Sequence, residues 1–142
     1  MKSFTLSSEE VRQHGYTHKI MVELSDLKLA SSPLRLMTIK SGQVFRAAAL
    51  RLDNVLEDRN DPQFKKCEIK LGDSGKHDRY LSATENNKHG TYVKYKAGNT
   101  VHAYTADDRL LLTAEVPATK SLSSLTHGQI SIYVAIGDLT VL

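Results

Sequence analysis

From residue 129 to residue 136 the chain alternates, with Ile130, Ile132, Val134 and Ile136 in one phase and Gln129, Ser131, Tyr133 and Ala135 in the other. On an extended backbone successive side chains point to opposite faces, so this spacing predicts a strand with one apolar face against a core. An unbroken apolar face of four β-branched residues needs a sheet around it and a second layer over it. That requirement sets the fold class.

Other segments repeat the pattern. Cys67, Ile69 and Leu71 alternate with charged residues, which places the lone cysteine on a buried face as a core residue. Ile20, Val22 and Leu24 share a phase, as do Leu34, Leu36 and Thr38. Residues 44–56 are alanine-rich, which favours helix, yet Ala48, Leu50 and Leu52 alternate, and the segment is assigned as a long strand. Leu110, Leu111 and Leu112 begin a buried strand stopped by Pro117. Residues 26–29 read as a helical turn, residues 76–88 as a long polar loop, and residues 122–128 as a loop. Residues 90–105 read as a hairpin turning at Ala97, Gly98 and Asn99. Turn clusters recur every ~8–12 residues, as in sandwiches and closed barrels. The expectation is an all-β, single-domain β-sandwich or jelly-roll-like barrel of about eight strands, spanning residues 16–142.

Residues 1–15 read as an N-terminal arm. Ser7 with Glu10 is a capping box for a short helix stopped by Gly15. Phe4, Leu6 and Val11 lie in a segment too short and polar to fold alone. They are therefore the candidate subunit-contact residues, expected to pack on a neighbour rather than on the chain's own body.

The chain is one domain's length at 142 residues, and 40% hydrophobic with 25% charged residues is ordinary for a globular chain. A net charge of +3, with bases interleaved among acids, lacks the clustered basic stripe of a nucleic-acid face. One cysteine excludes an internal disulfide. No apolar leader opens the chain, and no stretch approaches the ~20 apolar residues of a membrane span. The expectation is a soluble chain made in the cytoplasm.

The densest chemistry is the loop around Asp73, His77, Asp78 and Arg79, a candidate exposed loop. Its spacing matches neither a calcium loop nor a zinc site, and Asp-Ser-Gly at 73–75 is first a turn. The six histidines form no set with a nucleophile and a carboxylate, and neither a nucleophile elbow nor a phosphate loop is present. No enzyme activity, metal or cofactor is expected. Tyr92, Lys94, Tyr95, Lys96 and Tyr104 admit a second reading, a single-stranded nucleic-acid surface.

Leu71-Gly72-Asp73, then Asp78-Arg79-Tyr80-Leu81, a Gly-containing hairpin, Leu112-Thr113-Ala114 and the strand opened by Gly128-Gln129-Ile130 resemble small β proteins encoded near the capsid genes of tailed bacteriophages. The resemblance starts at about His18 and rests on short motifs. It implies a virion structural protein, a capsid cement or decoration protein bridging capsid subunits. The major capsid protein and further copies of the chain, as a trimer, would be its partners, on the capsid surface. A neck or tail component is the alternative, and the nucleic-acid-binding barrel the second alternative.

Overall fold

The computed structural model describes residues 1–64, 66–86 and 95–140. Among these residues ten strands form two antiparallel sheets packed as an all-β sandwich. Sheet A contains β1 (Lys2–Thr5), β2 (His18–Val22), β10 (His127–Asp138), β4 (Gln43–Glu57) and β7 (Tyr95–Gly98), in that order, with β8 (His102–Ala103) also paired to β4. Sheet B contains β3 (Leu34–Ile39), β9 (Asp108–Glu115), β5 (Lys66–Gly72) and β6 (Leu81–Asn86). Two short helices, α1 (Ser8–His14) and α2 (Leu24–Leu27), flank β2, and a 3-10 turn spans Leu122–Ser124.

The alternation that predicts β10 places it at the centre of sheet A. Ile132 lies between Ile20 of β2 and Leu50 of β4, and Ile130 between Val22 and Leu52. All six are buried and face Leu110, Leu112, Ile69 and Leu71 from sheet B in one continuous core. Directly opposed residues share a face, so each such row adds apolar contact across three strands. The alanine-rich segment is the 15-residue strand β4. Its buried phase slips between Phe45 and Ala48, where pairing with β10 shifts register between Ala135 and Ile136. A bulge there absorbs the extra residue and keeps both phases facing the core. Cys67 is buried at 1% exposure, as the β5 pattern predicts.

Several local expectations differ from the structure. β2 ends at Val22, and Leu24 instead opens α2, whose first turn is held by reciprocal Glu23 and Asp26 contacts. In β3 a register shift between Arg35 and Met37 moves the inward phase to Ile39, leaving Thr38 exposed. The polar stretch after residue 80 is partly strand: β6 pairs with β5 from Leu71↔Leu81 to Lys66↔Asn86. The hairpin expected over residues 90–105 is not formed by its described part. β7 and β8 run in the same direction along one edge of β4, Gly98 to Tyr95 opposite Ala48 to Arg51 and Ala103 to His102 opposite Val44 to Phe45. Tyr92 and Lys94 lie outside the described residues.

The arm is tied to the body. β1 pairs with β2 over four residues, and the Leu6 amide donates to the Thr17 carbonyl at 2.9 Å. Ser7 caps α1 as its capping box predicts, and Gly15 ends it at φ 80°, a conformation glycine adopts without strain. The expectation that residues 1–15 avoid their own sheet is therefore corrected: β2 would otherwise be an edge, and β1 satisfies its backbone groups. Phe4 stays 44% exposed, and Leu6 and Val11 are half-buried.

Candidate functional site

Two regions concentrate polar and aromatic side chains: the loop joining β5 to β6, and the outer face of sheet A.

The loop was expected to be exposed, and for His77 and Asp78 it is. Asp73 is the correction, being only 1% exposed. Its Oδ1 accepts from the Gly75 and Lys76 amides at 3.0 and 2.9 Å, which is the predicted Asx-type turn. Its Oδ2 accepts from Arg79 Nε at 2.5 Å and from the Tyr104 hydroxyl at 2.7 Å. Tyr104 spends its proton on Asp73, so the Tyr80 hydroxyl donates to Tyr104 in a very short contact. Arg79 is half-buried and reaches His102 Nδ1 at 3.4 Å.

These groups come from both layers. Asp73, Arg79 and Tyr80 belong to the sheet B hairpin, whereas His102 and Tyr104 follow the sheet A edge. Phe45 of β4 stacks on Tyr80 at 5.4 Å and meets Tyr104 edge-on at 5.6 Å. A Cβ on Gly98 would lie 2.1 Å from the Tyr80 carbonyl oxygen, so the layers touch backbone to backbone here. The network is a polar staple closing one end of the sandwich.

Its electrostatics fit that role. Burial alone would raise the Asp73 carboxyl, but Arg79, Tyr104 and the Lys76 amide outweigh it and hold the group below its ordinary 3.8. Burial pushes the Tyr80 hydroxyl up to about 12. Tyr104 is raised as well, chiefly by burial, with Tyr80 and Asp73 adding to it. All four donors to Asp73 come from the protein, so its carboxylate is committed to structure. Among the described residues no group of three or more His, Cys, Asp or Glu is arranged to hold a metal ion.

The second region was not singled out from sequence. Phe4, Lys19, Tyr133, Ala49 and Ala97 face outward in one row across five strands, and Lys2, Met21, Ser131, Arg51 and Tyr95 form the next. His14 and Tyr16, from the end of α1, pack on the Tyr133 ring at 5.9 and 5.8 Å. Lys19 and Arg51 lie 5.7 and 5.6 Å from the centre of the same ring. Arg51 is fixed by Asp53 at 2.7 Å, and Asp53 also accepts from Ser131 at 2.5 Å. A groove of about 290 Å³ runs between Tyr16 and Tyr95 over Ala49 and Ala97. The sequence signal was there: Tyr133 is a large aromatic on the nominally solvent side of the strongest amphipathic strand.

Of the proposed nucleic-acid residues, Tyr95 faces outward opposite Arg51, while Lys96 sits opposite inward-facing Leu50. Tyr104 is buried in the staple. These three described residues do not form one stacking platform.

The class this architecture defines is an all-β sandwich also found in phage capsid structures. A chain of the cyanophage Pam1 capsid asymmetric unit matches at TM-score 0.58 and 17% identity, over 83% of this chain and 80% of that one. A chain of the acidic stable capsid structure of Helicobacter pylori bacteriophage KHP30 matches at TM-score 0.57 and 10% identity, over 83% and 82%. At these identities the likeness is one of fold. No family model matches the chain, and no curated protein matches it in sequence.

Proposed function

We propose that the protein is a structural component of a tailed-phage head, a cement protein that binds the assembled shell and bridges its major capsid subunits. The observation that carries this reading is the shared sandwich in two phage capsid structures, matched over about four-fifths of every chain involved. The site chemistry agrees with it. The densest polar cluster is spent on joining two sheets, and the outer face of sheet A presents aromatic side chains suited to contact. Phe4, one of the candidate contact residues, stands on that face. In this role the protein works without cofactor or catalysis, as a homo-oligomer on the capsid surface.

A ligand that binds only the assembled shell stabilises it by its binding free energy, about 2.7 kcal/mol per site at a hundredfold excess over Kd. The test is to strip the protein from particles and follow thermal rupture. Stripped particles are expected to break at lower temperature and to regain wild-type rupture on adding the protein back, with copies in proportion to the major capsid protein. Equal robustness with and without it, or a single ring of copies per particle, defeats the cement reading and favours a neck or tail position.

A further inference from the structure

Thr17 is the junction at which the N-terminal arm meets the body. Its amide donates to the Val134 carbonyl of β10 at 2.9 Å, and its carbonyl accepts from the Leu6 amide at 2.9 Å. Its hydroxyl accepts from the Ile136 amide at 3.0 Å, beside the β10 register shift, and lies 3.2 Å from the Val134 carbonyl. The same hydroxyl stands 2.7 Å from His18 Nδ1. His18 is thus tied to the point where β1, β2 and β10 converge. It pairs with Thr5 on one side and Val134 on the other, in the inward phase of Ile20 and Val22.

The imidazole lies under the arm strand, where β1 and β3 are the edges of their sheets. A cavity of about 100 Å³ adjoins it, walled by β1, by Ile20 and by Met37 of β3. No carboxylate lines that cavity among the described residues. The ring meets Thr5 from β1, Val134 from β10 and Met37 from β3, all uncharged. Lys19, its neighbour in the chain, is a cation and sends its ammonium to the outer face over Tyr133, where His14 of α1 also packs. The nearby acids are engaged elsewhere: Glu10 with Ser7 at the start of α1, Glu23 with Lys2, and Asp26 with the N-terminal amine.

The Thr17 hydroxyl can serve the ring in either protonation state, as donor to a bare Nδ1 or as acceptor from a protonated one. That hydrogen bond therefore does not decide the charge. Burial without a counter-ion decides it, and lowers His18 below its ordinary 6.5. An imidazolium here regains solvent only if one wall of the cavity moves. β1 is the least anchored wall, an edge strand of four residues with none buried, and α1 behind it buries none either. We infer that His18 is an acid-sensitive latch: neutral, it keeps β1 and α1 docked on sheet A, and protonated, it lets them go as a unit while the sandwich stays folded. With the arm released, His18 returns to its ordinary 6.5, above the docked value. Docking is therefore at full strength above 6.5 and weakens as pH falls toward the docked value. Within that window each unit of pH moves the docked-to-released ratio by up to about tenfold. Release leaves Phe4, Leu6 and Val11 free of their own sheet.

The test follows the full chain by NMR from about pH 7.5 to about pH 5, the range in which histidine changes charge. Amide-exchange protection, normalised for the intrinsic rate, is read at Leu6 for the arm and at Ile132 for the body, with the His18 ring resonances as the titration. Leu6 is expected to lose at least about threefold in protection with a midpoint that tracks His18, while Ile132 stays unchanged. His18→Gln, which keeps a polar side chain beside Thr17 without titrating, is expected to hold Leu6 protection within about twofold across the range. His14→Gln, which removes the arm's other histidine, is expected to release as wild type does. Equal Leu6 protection at both ends of the range, a His18 midpoint at or above 6.5, or release that disappears in His14→Gln instead of His18→Gln overturns the latch. Loss of Ile132 protection together with Leu6 overturns it too, because the acid effect is then global unfolding. The wild-type comparison of Leu6 with Ile132 decides the matter even where a variant does not fold.

Discussion

The staple at Asp73 makes a prediction whose size follows from its geometry. In Asp73→Asn the side chain keeps its shape, but one carboxylate oxygen becomes an amide nitrogen. The Oδ1 side meets two backbone amides, and the Oδ2 side meets Arg79 and the Tyr104 hydroxyl. Either orientation of the new amide therefore sets its NH2 against two donors. Hydrogen bonds to a charged group contribute about 1.5–3 kcal/mol each, and breaking a buried pair costs about 3–5 kcal/mol. Arg79 retains 24% side-chain exposure and can turn its guanidinium to water, which places the loss near the lower end, about 3 kcal/mol. The entropy of unfolding for 142 residues is about 0.3 kcal/mol/K, so the melting temperature should fall by about 10 °C.

The same substitution has a signature in pH. The folded Asp73 carboxyl titrates below its ordinary 3.8, so its contribution is full above that value. It is lost as pH falls through the depressed folded value. Urea unfolding of both proteins, stepped from pH 7 to pH 2, should show a gap of about 3 kcal/mol that is constant at neutral pH and closes in acid. Tyr104→Phe removes one of the four donors, and a double-mutant cycle with Asp73→Asn should give a coupling of about 1–2 kcal/mol. A gap under about 1 kcal/mol at pH 7, or one that persists unchanged at pH 2, refutes the assignment of Asp73 as the centre of the staple.

Ile132→Asp puts an unpaired carboxylate at a fully buried position in the middle of sheet A and should cost several kcal/mol; unchanged melting of a soluble, cooperative variant would show that β10 is not central. Gly98→Ala drives a Cβ to 2.1 Å from the Tyr80 carbonyl and should cost about 1–3 kcal/mol, whereas Ala97→Ser, on the open face, should be nearly silent in the same thermal scan. Tyr80 titrates at about 12 when folded against 10.0 in its ordinary state, so stability is full below pH 10 and lost as pH rises toward 12. Tyr80→Phe should flatten that alkaline limb in circular dichroism, while an identical limb would place the loss elsewhere.

The parts of the fold legible in the sequence are those where a period of two survives intact. The apolar phases of β10 and β5, and the run opening at Leu110, stand out because each strand keeps one side in the core over its whole length. Where a bulge inserts a residue the phase shifts silently, and Thr38 is then chosen over Ile39 although only the latter is buried. Gly98 misled for a different reason. Glycine beside asparagine is the usual mark of a tight turn, but here the missing Cβ makes room for Tyr80 from the other sheet. The Asp73 turn was legible from Asp-Ser-Gly, because those contacts are local. Its burial was not, because Tyr104 lies 31 residues away and no local pattern links them. The aromatic face of sheet A is not legible for the same reason: Tyr16, Tyr133 and Tyr95 come onto one face only once β10 sits between β2 and β4.

For the proposed bridging role, the parts of sheet A left open are its edge at β1 and its outer face. β1 has one neighbour in sheet A, so its far edge offers backbone groups to a neighbouring strand. That edge is only four residues long, fully exposed and begins with Lys2. Short edges bearing lysine are how sheets resist unwanted strand addition, and four residues supply few hydrogen bonds to offset the ordering of an incoming chain. The outer face of the same sheet is the better platform. Its rows run from Phe4 of β1 to Ala97 of β7 without a break, so an extended segment laid across them touches five strands already held by pairing and by the core beneath. The staple at Asp73 adds to this by locking the β4 edge to sheet B close to Gly98, the residue that ends β7. A contact made on that face would load both layers of the sandwich together, which is the mechanical property the proposed shell-bridging role needs.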